Sequence, residues 1–220
     1  MNGIVEREGV IKFDCRHRLG APLAPEHLLE LNAWRKILFQ LALIGQDPAR
    51  YAGLGFGNLS RRAPHSLGGE GGAFIISGTQ TGGIPDLDAS HYTLVRHCDP
   101  QTNRVEAEGP IAPSSESLTH GVLYALDARV NAVMHVHSPH LWGQAEPLGL
   151  PLTRSDVAYG TPDMAAEVAR LWRQSPVREL GIFAMGGHED GIVAFARTCA
   201  EAGATLIRRL AQAYQFTSPI

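Results

Sequence analysis

Cysteine is scarce in this 220-residue chain. Cys15, Cys98 and Cys199 are odd in number, far apart and in no CxxC spacing, which excludes a disulfide framework and a thiolate metal site. Long apolar runs are missing too. No stretch reaches the roughly 18 residues of a membrane-spanning helix, and MNGIVEREGVIKF at the start carries two Glu where a secretory signal has its apolar centre. A cytoplasmic location without a membrane partner is therefore expected. Nor is there a basic block. Lys and Arg number 19 against 22 Asp and Glu, for a net charge of −3, so the chain lacks the electrostatic footprint that holds a phosphate backbone. Nucleic acid is excluded as the main partner, and a small molecule is left. No repeat of fixed period suggests a solenoid.

With 44% hydrophobic and 19% charged residues, the composition is that of a folded chain with one sizeable core. A single domain over residues 1–220 is expected. Pro25 stands near a helix start, and Leu28, Leu31, Leu38 and Leu41 follow at mostly helical spacing until Gly45 offers a stop. Ala73 to Ile76 predicts a strand after the Gly-rich SLGGEGG, and a second strand ends at Val95. Ser114 or Ser115 caps a helix with Leu118, Val122, Ala125 and Leu126 on its apolar side, placing Glu116 in the first turn. Thr161 and Pro162 start another helix, through Val168 and Leu171. Strands at Gly181–Met185 and Gly191–Phe195 flank a loop around His188, and Thr198 with Glu201 opens a last helix carrying Leu206 and Leu210. The elements lack a regular βαβ rhythm, so a layered α/β sandwich is expected over a doubly wound parallel sheet.

Val130 to His137 is short, apolar and free of Gly and Pro, as in a strand. Side chains alternate on a strand, so Ala132, Met134 and Val136 face one way while Val133, His135 and His137 face the other. Two imidazoles on one face, about 6.6 Å apart along the strand, can aim at one metal ion. His188, in MGGHEDG, is a loop histidine among glycines and has little reason to be there as packing. Three neutral imidazoles with one open position make a catalytic rather than a structural zinc site; a structural site needs a fourth protein ligand, and no cysteine is placed to supply one. His17, His27, His65, His91 and His97 read as ordinary histidines. His120, one helical turn past Glu116, either orients it or packs, and His140 directly follows the strand.

GNLSRR at 57–62, SGTQTGG at 77–83, PSSESLTH at 113–120 and HVHS at 135–138, in that order and followed by His188, resemble the class II aldolase/adducin family. The likeness runs from about residue 28 to 214. It implies a three-layer α/β/α sandwich with a central, largely antiparallel sheet. It implies Zn²⁺ or another divalent transition metal on His135, His137 and His188, with Glu116 as general acid/base. It also implies a phosphate cradle made of Asn58, the Thr/Ser-Gly loop and Ser114–Ser115, with Arg61 nearby. In that loop either Ser77–Gly78 or Thr81–Gly82 is the binding pair. Anion binding there also makes physical sense, since Gly-rich turns and helix N-termini present backbone N–H groups. One departure is that Glu189 and Asp190 precede Gly191, where the family has Gly directly after its third histidine; an ungapped match puts Asp190 in the ligand's slot, and His188 is preferred because three imidazoles suit the chemistry.

The activity implied is aldol cleavage of a small hydroxyketone or sugar phosphate through a metal-stabilised enediolate. Dehydration and epimerisation share that intermediate, and Glu rather than Asp in PSSE resembles the aldolases and the dehydratase more than the epimerase. A non-catalytic adducin-like module is the alternative from outside enzymology. Against it stands the cost of keeping a buried polar cluster that has no use. Family members commonly form fourfold tetramers, so a homo-oligomer with Tyr214 reaching a neighbour is implied as well.

Overall fold

The computed structural model describes residues 8–68 and 71–217. Residues 1–7, which open the stretch MNGIVEREGVIKF, Gly69 and Glu70 of SLGGEGG, and residues 218–220 lie outside that range. In chain order the elements are β1 (Asp14–Leu19), α1 (Leu29–Gln40), β2 (Gly45–Gln46), β3 (Gly55–Phe56), β4 (Asn58–Arg62), β5 (Phe74–Ser77), β6 (Tyr92–Asp99) and β7 (Arg104–Gly109). Then come α2 (Ser117–Leu126), β8 (Ala132–His137), α3 (Pro139–Gly143), α4 (Pro162–Gln174), α5 (Val177–Leu180), β9 (Ile182–Ala184), β10 (Gly191–Ala196) and α6 (Cys199–Thr217).

Eight strands form one sheet in the order β1-β7-β6-β5-β4-β8-β10-β9. Every pairing in it is antiparallel except that of β1 with β7. The two faces carry separate apolar cores. One holds Leu31 and Leu38 of α1, Leu141 of α3 and Leu206 and Leu210 of α6 against Leu59, Ile75, Met134 and Ile192. The other holds Leu118 and Leu123 of α2 and Val168 and Leu171 of α4 against Phe74, Ile76, Val133 and Val193. This is the expected three-layer sandwich with a largely antiparallel centre. On β8 the alternation falls as expected: Ala132, Met134 and Val136 belong to the first core, Val133 to the second. His135 and His137 share the parity of Val133, which puts them on the α2/α4 side.

Several boundaries differ from the expectations. Helix α1 stops at Gln40, before the left-handed Ala42 (φ 54°), and Gly45 belongs to β2 instead of ending the helix. Leu41 is consequently exposed. Helix α2 begins at Ser117, so Glu116 is its N-cap residue and not part of the first turn. The reason is a preceding turn: Ser114 Oγ accepts from the Glu116 N–H at 3.3 Å and the Ser114 carbonyl accepts from the Ser117 N–H at 3.1 Å. Ala125 faces solvent while Leu123 takes its place in the core. At α6, Thr198 Oγ1 accepts from the Glu201 N–H as expected, but Glu201 reaches the N–H of Arg197, one residue earlier than a reciprocal cap requires.

All three cysteines are free, and burial pushes the thiols of Cys98 and Cys199 each up to about 12, as expected of unreactive side chains. Among the described residues no helix is long and apolar enough to cross a membrane.

Candidate metal centre

Strand β8 is central, with β4 on one side and β10 on the other, so the backbone of His135 and His137 is held from both edges. The third histidine arrives on the β9–β10 loop. There Gly187 lies against the chain at Val157: a Cβ on it would stand 2.0 Å from the Val157 carbonyl oxygen. The glycine is needed for close approach, while the left-handed residue of the loop is Asp190 (φ 62°). Gly187→Ala should destabilise the protein by about 1–3 kcal/mol, because backbone cannot yield to a methyl group. It should also lower metal content by displacing His188. Thermal melts with metal analysis check both, and an unchanged pair would mean the loop relaxes freely.

The three imidazoles meet. His137 Nε2 stands 3.2 Å from His135 Nε2 and 3.1 Å from His188 Nε2, and all three side chains are at most 4% exposed. His135 Nδ1 lies 3.3 Å from the Ile192 carbonyl, which only accepts, so its proton sits on Nδ1 and its Nε2 lone pair faces the cluster. One proton on His137 Nε2 cannot serve both neighbouring nitrogens. A divalent ion serves all three, and separations of 3.1–3.2 Å are near the roughly 3.3 Å edge of a tetrahedron with 2.0–2.1 Å metal–nitrogen bonds. The residues present thus fit such an ion.

A fourth donor, missed in the sequence, joins them. Glu8 places Oε2 3.5 Å from His188 Nε2 and Oε1 3.8 Å from His137 Nε2, and the four side chains form one buried group with ligand atoms within 4.8 Å of one another. Asp190 is elsewhere engaged. Its Oδ2 accepts from Arg50 at 2.8 Å and from the Tyr51 hydroxyl at 2.5 Å, and the Tyr51 ring meets His137 edge-on at 4.6 Å. Arg50, Tyr51 and Tyr159, whose ring lies 4.5 Å from that of His188, had no motif to reveal them.

Burial lowers the affinity of these imidazoles for protons. It brings His135 down to about 4 and holds His137 well below the ordinary 6.5, with His188, His135 and Arg50 adding to it. His188 is depressed by burial, then by His135 and Lys12, and His120 by burial and His135. Folding therefore favours the neutral forms, and their contribution to stability is complete above pH 6.5 and is lost as pH falls below it, in the case of His135 through about 4. The metal-free protein should accordingly lose Tm steeply below pH 6.5. Melts in chelator from neutral to acidic pH test this; a flat profile would contradict burial of neutral rings.

Beside the histidines is a small polar pocket lined by Asn58, Gly78, Thr81, Gly82, Ser114 and Ser115, together with Glu8 and Gly9. Ser77 is not among its lining residues; its Oγ accepts from the Leu59 N–H at 3.3 Å within the sheet. The N–H groups of Gly78 and Thr79 are given to the carbonyls of His91 and Ala112. Gly82 is pinned from behind by Arg35, 2% exposed, whose guanidinium donates to the carbonyls of Thr81, Gly82 and Pro85. Asn58, paired with His135 across β4 and β8, keeps its buried Oδ1 without a hydrogen-bond partner. Arg61 is a correction: it alternates to the opposite face of β4, and its guanidinium lies 3.5 Å from the His27 carbonyl. Glu116, 1% exposed, follows the pocket residue Ser115 directly.

His120 packs rather than orienting a carboxylate, with Nδ1 2.6 Å from Ser60 Oγ, which in turn meets Tyr124. His140 is exposed and lies against Tyr214, ring centres 4.7 Å apart.

The sequence matches the Class II Aldolase and Adducin N-terminal domain family over residues 48–212, and the chain belongs to that family. Among solved structures, YgbL of Klebsiella pneumoniae, for which aldolase, epimerase and decarboxylase are named as alternatives, superposes with a TM-score of 0.63 at 19% identity, covering 89% of this chain and 91% of that one. An L-fuculose 1-phosphate aldolase gives 0.62 at 18% identity, covering 90% and 91%. A sugar-phosphate aldolase from Thermotoga maritima gives 0.63 at 15% identity, covering 86% and 92%. These likenesses establish the fold. No curated protein matches the sequence.

Proposed function

We propose that the protein is a metal-dependent lyase that performs aldol cleavage on a small hydroxyketone or sugar phosphate. The observation that carries the reading is the convergence of three buried Nε2 atoms from His135, His137 and His188 beside a polar pocket. Zn²⁺ or a similar divalent transition ion suits these donors, and when bound it supplies Lewis acidity toward a carbonyl oxygen. The remaining work belongs to the chain. Asn58, Thr81, Gly82, Ser114 and Ser115 hold the anionic end, with Arg35 fixing the Thr81–Gly82 turn. Thr81–Gly82 is the better candidate for the binding pair, because both residues line the pocket while Ser77 does not, and the Gly78 N–H is given to the His91 carbonyl. Glu116 receives and returns the proton at the reacting centre. A homo-oligomer is part of this reading, supported by the exposed Tyr214 and Phe216 near the end of α6.

The deciding experiment loads the protein with Zn²⁺ and offers it ketose 1-phosphates, ketoses and hydroxy-ketoacids, scoring aldehyde release and water loss together. Aldehyde release supports the proposal. Water loss alone would make the protein a dehydratase, and neither product with no bound metal would leave an adducin-like module. With a phosphorylated substrate in hand, Ser115→Ala should raise KM more than it lowers kcat, since contacts to a non-reacting phosphate act in the ground state as well. Equal KM values for phosphorylated and unphosphorylated substrates in the unmodified protein would remove the phosphate cradle.

A further inference from the structure

The three-histidine site has a position left for a substrate oxygen, and a residue of this same chain stands at it. Glu8 reaches His188 and His137 at 3.5 and 3.8 Å, in a segment outside residues 48–212 that match the family. The placement is built. The Val10 N–H donates to the Tyr159 hydroxyl at 2.9 Å, and Lys12 Nζ donates to the Tyr159 carbonyl at 3.1 Å while standing 3.5 Å over its ring. Tyr159 itself is fully buried and packs on His188. Phe13 then anchors the segment in the core on the α2/α4 side.

Gly9 extends the same closure into the anion pocket. With Glu8 and Gly9 in place the pocket keeps a free volume of about 10 Å³, enough for one water at most. A phosphate does not fit beside them. Gly9 adopts a left-handed φ of +71°, and a Cβ there would meet the Gln80 side-chain amide at 1.8 Å, so glycine lets the chain lie this close.

We propose that Glu8 is a fourth protein ligand of the ion and that residues 8–12 form a strap which closes the site until substrate displaces it. This rests on the metal reading above. A carboxylate presents the same kind of oxygen donor as a chelating hydroxyketone, so the two compete for one position. Lifting the strap costs little apolar burial, because Val10 is 42% exposed and Ile11 only partly buried, while Phe13 stays as the anchor. Four protein ligands make a closed site and three an open one, so Glu8 determines which of the two the resting protein has.

The test uses the full chain loaded with Co²⁺, as unmodified protein and as Glu8→Ala and Glu8→Gln. Metal affinity is read by competition with a chelator, and azide binding by the visible spectrum. Removing a ligand should weaken metal affinity by at least about tenfold. It should also strengthen azide binding by a similar factor, since azide no longer has to displace a carboxylate. Opposite signs for the two shifts are expected only of a lost ligand. Identical metal and azide affinities in all three proteins would overturn the proposal while leaving the histidine site intact. Failure of the unmodified chain to bind Co²⁺ would instead overturn the metal reading, and this inference with it.

Discussion

Replacing Glu116 with Gln is expected to lower kcat by about 10²- to 10⁴-fold, the usual contribution of a general acid/base, with Tm and metal content near their unmodified values. Glu116 is buried at the N-cap of α2, next to Ser115 of the anion pocket, and its carbonyl accepts from the His120 N–H. Gln keeps the volume and the backbone role of the residue and gives up only the carboxylate. The measurement is kcat alongside metal analysis and a melt. Loss of the ion in this variant would make Glu116 a ligand and require another proton carrier. If all three quantities were unchanged, the residue would be no more than a favourable charge at a helix N-terminus, worth about 0.3–1 kcal/mol.

His137→Ala should have the largest effect on the ion, lowering affinity by more than the 10- to 100-fold typical of outer-sphere changes. Its Nε2 is the atom closest to both other imidazoles, and Glu8 faces it as well. Asp190→Ala is the informative control. The Asp190 side chain binds Arg50 and Tyr51, and the Tyr51 ring in turn packs on His137, so the change should act at second hand and stay within that 10- to 100-fold range. Metal content after dialysis against a weak chelator reads both. A greater loss in Asp190→Ala than in His188→Ala would reverse the ligand choice.

The parts of this arrangement that could be read in the sequence are those that depend on local period. HVHS is legible because alternation on a strand leaves no freedom about which residues share a face, and β8 places its side chains accordingly. Thr161 and Pro162 mark α4 because a hydroxyl acceptor and a fixed φ act within one turn; Thr161 Oγ1 accepts from the Met164 N–H. Strand β1 is not legible because it alternates between half-buried Cys15 and His17 and exposed charged residues, and β7 because its buried positions hold only Val105, Ala107 and Gly109 between the charged Arg104, Glu106 and Glu108. Glu8 and Tyr159 were out of reach for another reason. Val10 and Tyr159 are 149 residues apart, and no local pattern encodes a contact of that span. The contact of the Ser77 Oγ with the Leu59 N–H was equally out of reach, because it is a cross-strand pairing that requires the register of β4 and β5.

The placement of β8 between two hydrogen-bonded neighbours makes the proposed ligands unequal in lability. His135 and His137 move only if the centre of the sheet opens, which costs as much as unfolding the protein. His188 rides on a loop and Glu8 on a lightly packed segment. At the proposed site an arriving ion would therefore meet a preformed pair of nitrogens and be enclosed afterwards from the loop side. Exchange of metal with the surroundings is then governed by how fast that side opens, not by the stability of the sheet.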